Sequence, residues 1–261
     1  MEQTKINHSS LITAIENFVE DTITRQRPWD DYWSELVDLL SELQEQYNSN
    51  LIYSAYNQAM IELMLELEKD VRAFQYIDSS ILEKLRFRDV KSRFQKFQRQ
   101  HDREVQRFKE DELKNRCKAM EYTELLLEHH SKLAVIRVDL SYKQNKRRFI
   151  DISDFRQDIR KLLDRLQDRD RHFSDLLGYM YALEQGAEKG YHAHFLLFYN
   201  GSRVKFDRHI ADCIIDTWKE ITEETGQGYN CNTKQNRRSY KESGNDALGP
   251  LIRGDDAKRA N

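Results

Sequence analysis

The hydrophobic period of this chain first changes at residue 133, and that change limits the folds open to it. Before it, apolar residues recur every three or four positions. Leu11, Ile15, Phe18, Val19 and Ile23 form one such set, Trp33, Leu36, Val37, Leu40 and Leu43 a second, and Leu51, Tyr53, Tyr56, Met60, Leu63, Met64 and Leu67 a third. Each set lines one face of a helix. Pro28 marks the turn between the first two, with Asp30 as N-cap of the second. From 133 onward "LAVIRVDLSY" sets Val135, Arg137, Asp139 and Ser141 against Ile136, Val138 and Leu140, the alternation of a half-buried strand. The chain therefore reads as a helical region over 1–130 and a mixed domain over 131–261.

Between these patterns, roughly residues 80–130 contain neither Pro nor Gly and space Phe87, Phe94, Phe97 and Phe108 among dense mixed charge. A solvated helix or helical hairpin laced with i,i+4 ion pairs fits this composition. The alternative is a basic, aromatic-dotted face that lies along DNA, against which the evenly interleaved acidic residues speak.

Within the second half, "DISDFRQDIRKLLDRLQDR" predicts a helix capped by Ser153 or Asp154, with Phe155, Ile159, Leu162, Leu163 and Leu166 inward. "LLGYMYALE" and "GYHAHFLLFYN" predict two hairpin strands around "QGAEKG". "KFDRHIADCIIDTWKEITEETGQG" predicts a helix with Phe206, Ile210, Cys213, Ile214, Thr217, Trp218 and Ile221 on one face and Gly226 as its stop. "YNCNT" then offers a last strand. Strand, helix, strand, strand, helix, strand is the ferredoxin-like plan of the α+β class. It is an antiparallel sheet with helices on one face and the other left for function, here preceded by an all-helical N-terminal region. Unrelated activities share that plan, so function has to be argued from a site.

Charge and cysteine content narrow the setting. The net charge is −3, but residues 1–130 carry −7 and residues 131–261 carry +4, so any affinity for phosphate belongs to the second half. No apolar stretch reaches the roughly 18 to 20 residues of a membrane span, and "MEQTKINHSS" lacks a signal-peptide layout; a cytoplasmic protein without a membrane partner is expected. Cys117, Cys213 and Cys231 lie far apart with no CxxC, as reduced thiols rather than a zinc knuckle or disulfide framework.

The candidate chemistry lies in "ALEQGAEKGYHAHFLLF". On a strand, His192 and His194 point the same way about 7 Å apart along the chain, so two imidazoles can share one cation. Across the hairpin Glu184 falls near them, with Glu188 in the turn as the alternative third ligand. Two imidazoles and a carboxylate suit Mn²⁺, and Mg²⁺ when substrate oxygens complete the shell. His172 and His209 read as surface or packing histidines.

The same residues resemble the signature of HUH endonucleases, the rolling-circle replication initiators. The stretch from "VIRVDLSY" through "HFSDLLGYMYALEQGAEKGYHAHFLLFYNG" to "TGQGYNCN" is similar more narrowly to inovirus-type initiators and YagK/YfjJ-like prophage proteins. That resemblance covers about residues 130–250. It implies an HUH/RRM-like sheet on which His192, His194 and Glu184 hold a divalent metal, Mg or Mn. It further implies cleavage of single-stranded or hairpin origin DNA by a tyrosine, leaving a 5′-phosphotyrosine and a free 3′-OH. Asp139, on the strand that looks like the family's first motif, is either near that site or an ordinary strand residue.

In the family the tyrosine lies on a helix after the histidine strand. The tyrosines available here are Tyr199, Tyr229 and Tyr240. Tyr240 is the candidate, because Lys234, Arg237, Arg238 and Lys241 around it offer phosphate contacts; the alternative is an ordinary loop tyrosine. The polar end "LGPLIRGDDAKRAN" reads as the opening of a helix where the family's tyrosine helix is expected. Either the nucleophile is missing from a shortened copy, or Tyr240 serves. The chain has no G-x-x-x-x-G-K-[ST] loop, so a host helicase and polymerase are the implied partners. The competing expectations are a catalytically inactive nucleic-acid-binding protein on the same sheet and an interaction protein dominated by its helical half.

Overall fold

A computed structural model describes residues 7–70, 85–187, 189–205, 207–244 and 248–254. Contacts divide the chain into two compact units, Met1–Leu113 and Lys114–Asn261.

The first unit is helical. It contains α1 (His8–Thr24), α2 (Tyr32–Gln46), α3 (Ala55–Asp70) and the beginning of α4 (Phe87–His129). Asn7 starts α1 by accepting the Ser10 N–H on its side chain at 2.9 Å. The apolar sets meet in one core, where Leu11, Ile15, Phe18 and Val19 pack with Leu36, Leu40, Met60, Met64, Val90 and Phe94, although Leu51 and Tyr53 of the third set precede α3 rather than lie on it. Asp31 rather than Asp30 is the residue before α2, and its side chain makes no capping bond. Residues 87–129 form one continuous helix of 43 residues, so the hairpin alternative does not hold.

The second unit is a five-stranded antiparallel sheet with helices, the α+β architecture expected. Its strands are β1 (Lys132–Tyr142), β2 (Leu176–Gly186), β3 (Gly190–Asn200), β4 (Gly226–Asn230) and β5 (Gly249–Ile252). Their order is β2-β3-β1-β4, with β5 also paired to β1. Because side chains alternate, Ala134, Ile136, Val138, Leu140 and Tyr142 of β1 share one face with Tyr191, Ala193, Phe195, Leu197 and Tyr199 of β3. Helix α5 (Ile152–Gln167) covers that face with Phe155, Ile159, Leu162 and Leu166, and α6 (Asp207–Ile221) with Ala211, Ile214, Ile215 and Trp218. One end of the second face is closed by Tyr122, Leu126 and Leu127 of α4, which pack with Leu133, Val135, Phe198 and Leu251. The other end of that face carries the histidines.

Several boundaries move from the sequence reading for local reasons. Asp151, not Ser153 or Asp154, caps α5; it accepts the Ser153 and Asp154 N–H groups, while the Asp154 carboxylate accepts the Asp151 N–H. Helix α6 ends through Glu223 and Glu224, whose φ values are 49° and 64°, and not at Gly226. Gly226 opens β4, where a Cβ would come within 2.3 Å of Thr222 Oγ1 and 2.7 Å of Trp218 Nε1. The last paired strand in this region is Gly226–Asn230 rather than "YNCNT", because the Asn232 side chain replaces backbone pairing. Its Oδ1 accepts the Arg137 N–H at 2.9 Å and its Nδ2 donates to Val135 O at 2.9 Å, bridging the gap between β4 and β5 along β1. Residues 249–252 are strand β5, not the start of a helix, and Phe206 lies outside the described residues. Among the described residues no helix is long and apolar enough to cross a membrane.

Candidate metal centre

The hairpin register places Glu184 directly opposite His192 and Ala182 opposite His194, while β1 places Asp139 on the other side of His194. Four polar side chains from three strands thus stand on one face. Glu188, the alternative third ligand, lies outside the described residues.

Both imidazoles are held through Nδ1. His192 Nδ1 donates to the Gly190 carbonyl at 3.0 Å, and His194 Nδ1 lies 2.7 Å from Asp139 Oδ1. Arg137 Nη2 also lies 3.3 Å from His194 Nδ1, but a guanidinium has only donors, so the Nδ1 proton goes to Asp139. Each ring then presents Nε2 to the same point: His192 Nε2 is 3.1 Å and His194 Nε2 3.3 Å from Glu184 Oε2. All three ligand atoms fall within 4.8 Å of one another. Ligands bound at about 2.1 Å to a small divalent ion stand about 3 Å apart, and the two histidine–Glu184 separations are of that size, so the residue types and their spacing suit such an ion. Two neutral imidazoles and a carboxylate, each imidazole anchored by a carbonyl or carboxylate, are also the donor chemistry of known divalent sites.

Asp139 is therefore a support to His194 and not a solvent-facing strand residue. Its carboxylate receives Arg137 Nε at 2.9 Å and Nη2 at 3.3 Å. Burial works against its charge, yet the hydrogen bonds from Arg137 and His194 win and hold the carboxyl below its ordinary range. Burial likewise opposes the Arg137 charge, and the Asp139 bonds outweigh it, raising Arg137 above its ordinary value. Arg137 was not singled out from the sequence, though residues two apart on a strand share a face and the spacing Arg-x-Asp carried the signal.

Tyr240 does not lie in a loop. It sits on α7 (Lys234–Glu242), a helix started by the Thr233 side chain accepting the Asn236 N–H. It is hydrogen-bonded to Cys231 and packs against the apolar cluster of Leu133, Val135, Phe198 and Leu251, on the same face as the histidines. Burial and a hydrogen bond with Cys231 push its phenol up to about 12, with Arg137 pulling the other way. Tyr229 shares the face as well, opposite Asp139, and donates to Asn236 Oδ1 at 2.6 Å. Tyr199 is fully buried on the helix-covered face, and burial pushes its phenol far above the ordinary range.

The four cations named around Tyr240 all lie on α7. Lys234, Arg237, Arg238 and Lys241 line a groove of ≈ 840 Å³ together with Lys205 and Arg208, and with the carboxylates of Asp207 and Asp212. Arg237 is 3.4 Å from Asp207 Oδ2, and Arg238 bonds Glu242 at 3.0 Å. His172 bonds Thr217 Oγ1 at 3.1 Å and His209 lies 3.8 Å from Cys213 Sγ, both away from the histidine pair.

The profile of the YagK/YfjJ C-terminal domain, a prophage-associated family, matches residues 95–248. The chain belongs to that family. The YagK/YfjJ match takes in Glu184, His192, His194, Asp139 and Tyr240 alike, so the whole donor set and its candidate tyrosine fall inside one family domain. No curated protein and no solved structure matches the chain.

Proposed function

We propose that this YagK/YfjJ-family protein is an HUH-type replication initiator of prophage origin that nicks single-stranded DNA. The observation that carries this reading is the convergence of two Nδ1-anchored imidazoles on Glu184, on the same sheet face as a tyrosine-bearing helix rich in cations.

His192, His194 and Glu184 would hold a divalent ion, Mg²⁺ or Mn²⁺, which would polarise the scissile phosphate and offset the charge building on its oxygens. Tyr240 Oη attacks phosphorus; a P–O bond to the tyrosine forms as the P–O3′ bond breaks. The phenol gives up its proton and the departing 3′ oxygen takes one, leaving a 5′-phosphotyrosine and a 3′-OH that a host polymerase extends. Gly190 and Asp139 keep both imidazoles aimed throughout, and Arg137 keeps Asp139 ionised. Lys234, Arg237, Arg238 and Lys241 hold backbone phosphates of the flanking strand. A host helicase unwinds ahead.

One observation favours a second reading. Tyr240, raised to about 12 and bonded to Cys231, is a reluctant nucleophile, as expected of a nucleic-acid binder on this fold that does not cleave. Incubating the full chain with Mn²⁺ and a labelled pool of single strands carrying a hairpin, then running a denaturing gel, separates the two. The nickase forms a covalent adduct that disappears in His192→Ala and Tyr240→Phe and persists in Tyr229→Phe. Binding with no adduct selects the second reading, and an adduct lost only in Tyr229→Phe moves the nucleophile to β4.

A further inference from the structure

The loop that leaves β1, residues 143–149, carries Lys143, Lys146, Arg147 and Arg148 with no acidic residue between Leu140 and Ile150. It ends on Phe149, which is 65% exposed, a large apolar ring displayed to solvent with no core to serve. The Arg148 guanidinium lies over that ring, 4.6 Å from its centroid. The loop is held in place from three sides. Lys143 N donates to Thr225 O at 2.9 Å, Arg147 Nε donates to Tyr142 O at 2.9 Å, and a Cβ on Gly190 would lie 3.6 Å from Arg147 Cδ. Gly190 is also the residue whose carbonyl anchors His192, so the ring stands on the loop adjoining the metal-binding end of the hairpin.

Resting on the single-strand reading above, we propose that Phe149 and Arg148 form a stacking platform for an unpaired base of the strand whose phosphate is presented to His192 and His194. An exposed ring faced by a guanidinium suits the flat face of any base, and Lys146 beside it suits the adjoining phosphate. Such a platform is blind to duplex DNA, whose bases are already stacked, and tolerant of sequence, since every base has such a face. It also accounts for an aromatic side chain in a loop otherwise composed for solvent.

The test is fluorescence anisotropy of the full chain with a labelled mixed-sequence 20-mer and with the same sequence as a duplex, in EDTA, at two salt concentrations. Phe149→Ala weakens single-strand binding by about tenfold with an unchanged salt dependence and leaves duplex binding as it was, while Phe149→Trp retains wild-type affinity. Lys146→Ala instead flattens the salt dependence. Wild-type binding that Phe149→Ala leaves intact overturns the platform alone. A wild-type chain that binds no single strand at low salt overturns the platform and the nickase reading together.

Discussion

The two faces of one sheet have opposite chemistry although they are built from the same strands. On the face under α5 and α6, β1 and β3 present Ile136, Val138, Leu140, Ala193, Phe195 and Leu197, all buried and all apolar. At the histidine end of the other, Arg137, Asp139 and His194 are linked to one another, and His192 and His194 both reach Glu184, with Leu196 as an apolar neighbour. The first face is stabilised by removal of carbon surface from water, roughly 25 cal/mol per Å². The histidine end of the second contributes little of that kind, since its members orient two imidazoles, while its far end carries the apolar cluster of Leu133, Val135, Phe198 and Leu251. Stability and chemistry are thus separated by the two-residue period of a strand, and substitutions on the two faces should have separable effects.

The largest expected effect lies on the apolar face. Phe195→Ala, at a fully buried ring stacked on Tyr181, should cost about 3–5 kcal/mol in urea unfolding. His194→Ala, one residue away on the other face, should cost less than about 1 kcal/mol, because its pair with Asp139 is partly solvated. Equal losses at the two positions would dissolve the distinction.

A smaller effect falls where the faces share a backbone. Asn232→Ala should cost about 1–3 kcal/mol, since it strips partners from the Arg137 N–H and Val135 carbonyl between β4 and β5. It should also loosen Arg137 and so the Asp139–His194 pair. Urea unfolding measures the first consequence; an unchanged midpoint would show that water replaces the side chain without cost.

How much of this was legible beforehand follows from what each element buries. The alternation of β1 and the "ALEQG…GYHAH" hairpin placed Glu184 beside the histidines correctly, because register in a short hairpin leaves little freedom. The first hairpin strand runs further than the sequence implied, since Gln185 and Gly186 belong to β2, while β3 spans Gly190–Asn200 as "GYHAHFLLFYN" reads. Helix α7 was missed because it buries no residue of its own and "KQNRRSYKE" has no apolar period to read; a hydroxyl cap at Thr233 was its only signal. Strand β5 was mistaken for a helix start because "GPLI" is short and its surroundings polar. Pro250 is accommodated because β5 pairs with β1 alone. The strand-like role of Asn232 arises from a side-chain amide filling a gap between two strands, which only the three-dimensional register defines.

Whether His192, His194 and Glu184 form one divalent-cation site is decided by titrating the full chain with Mn²⁺ and following the electron paramagnetic resonance signal of the free ion. One Mn²⁺ per chain is expected, lost in His192→Ala and in His194→Ala and weakened about 10- to 100-fold in Asp139→Asn, where only the anchor of His194 changes. Mn²⁺ bound equally well by the wild type and both histidine variants would contradict such a site.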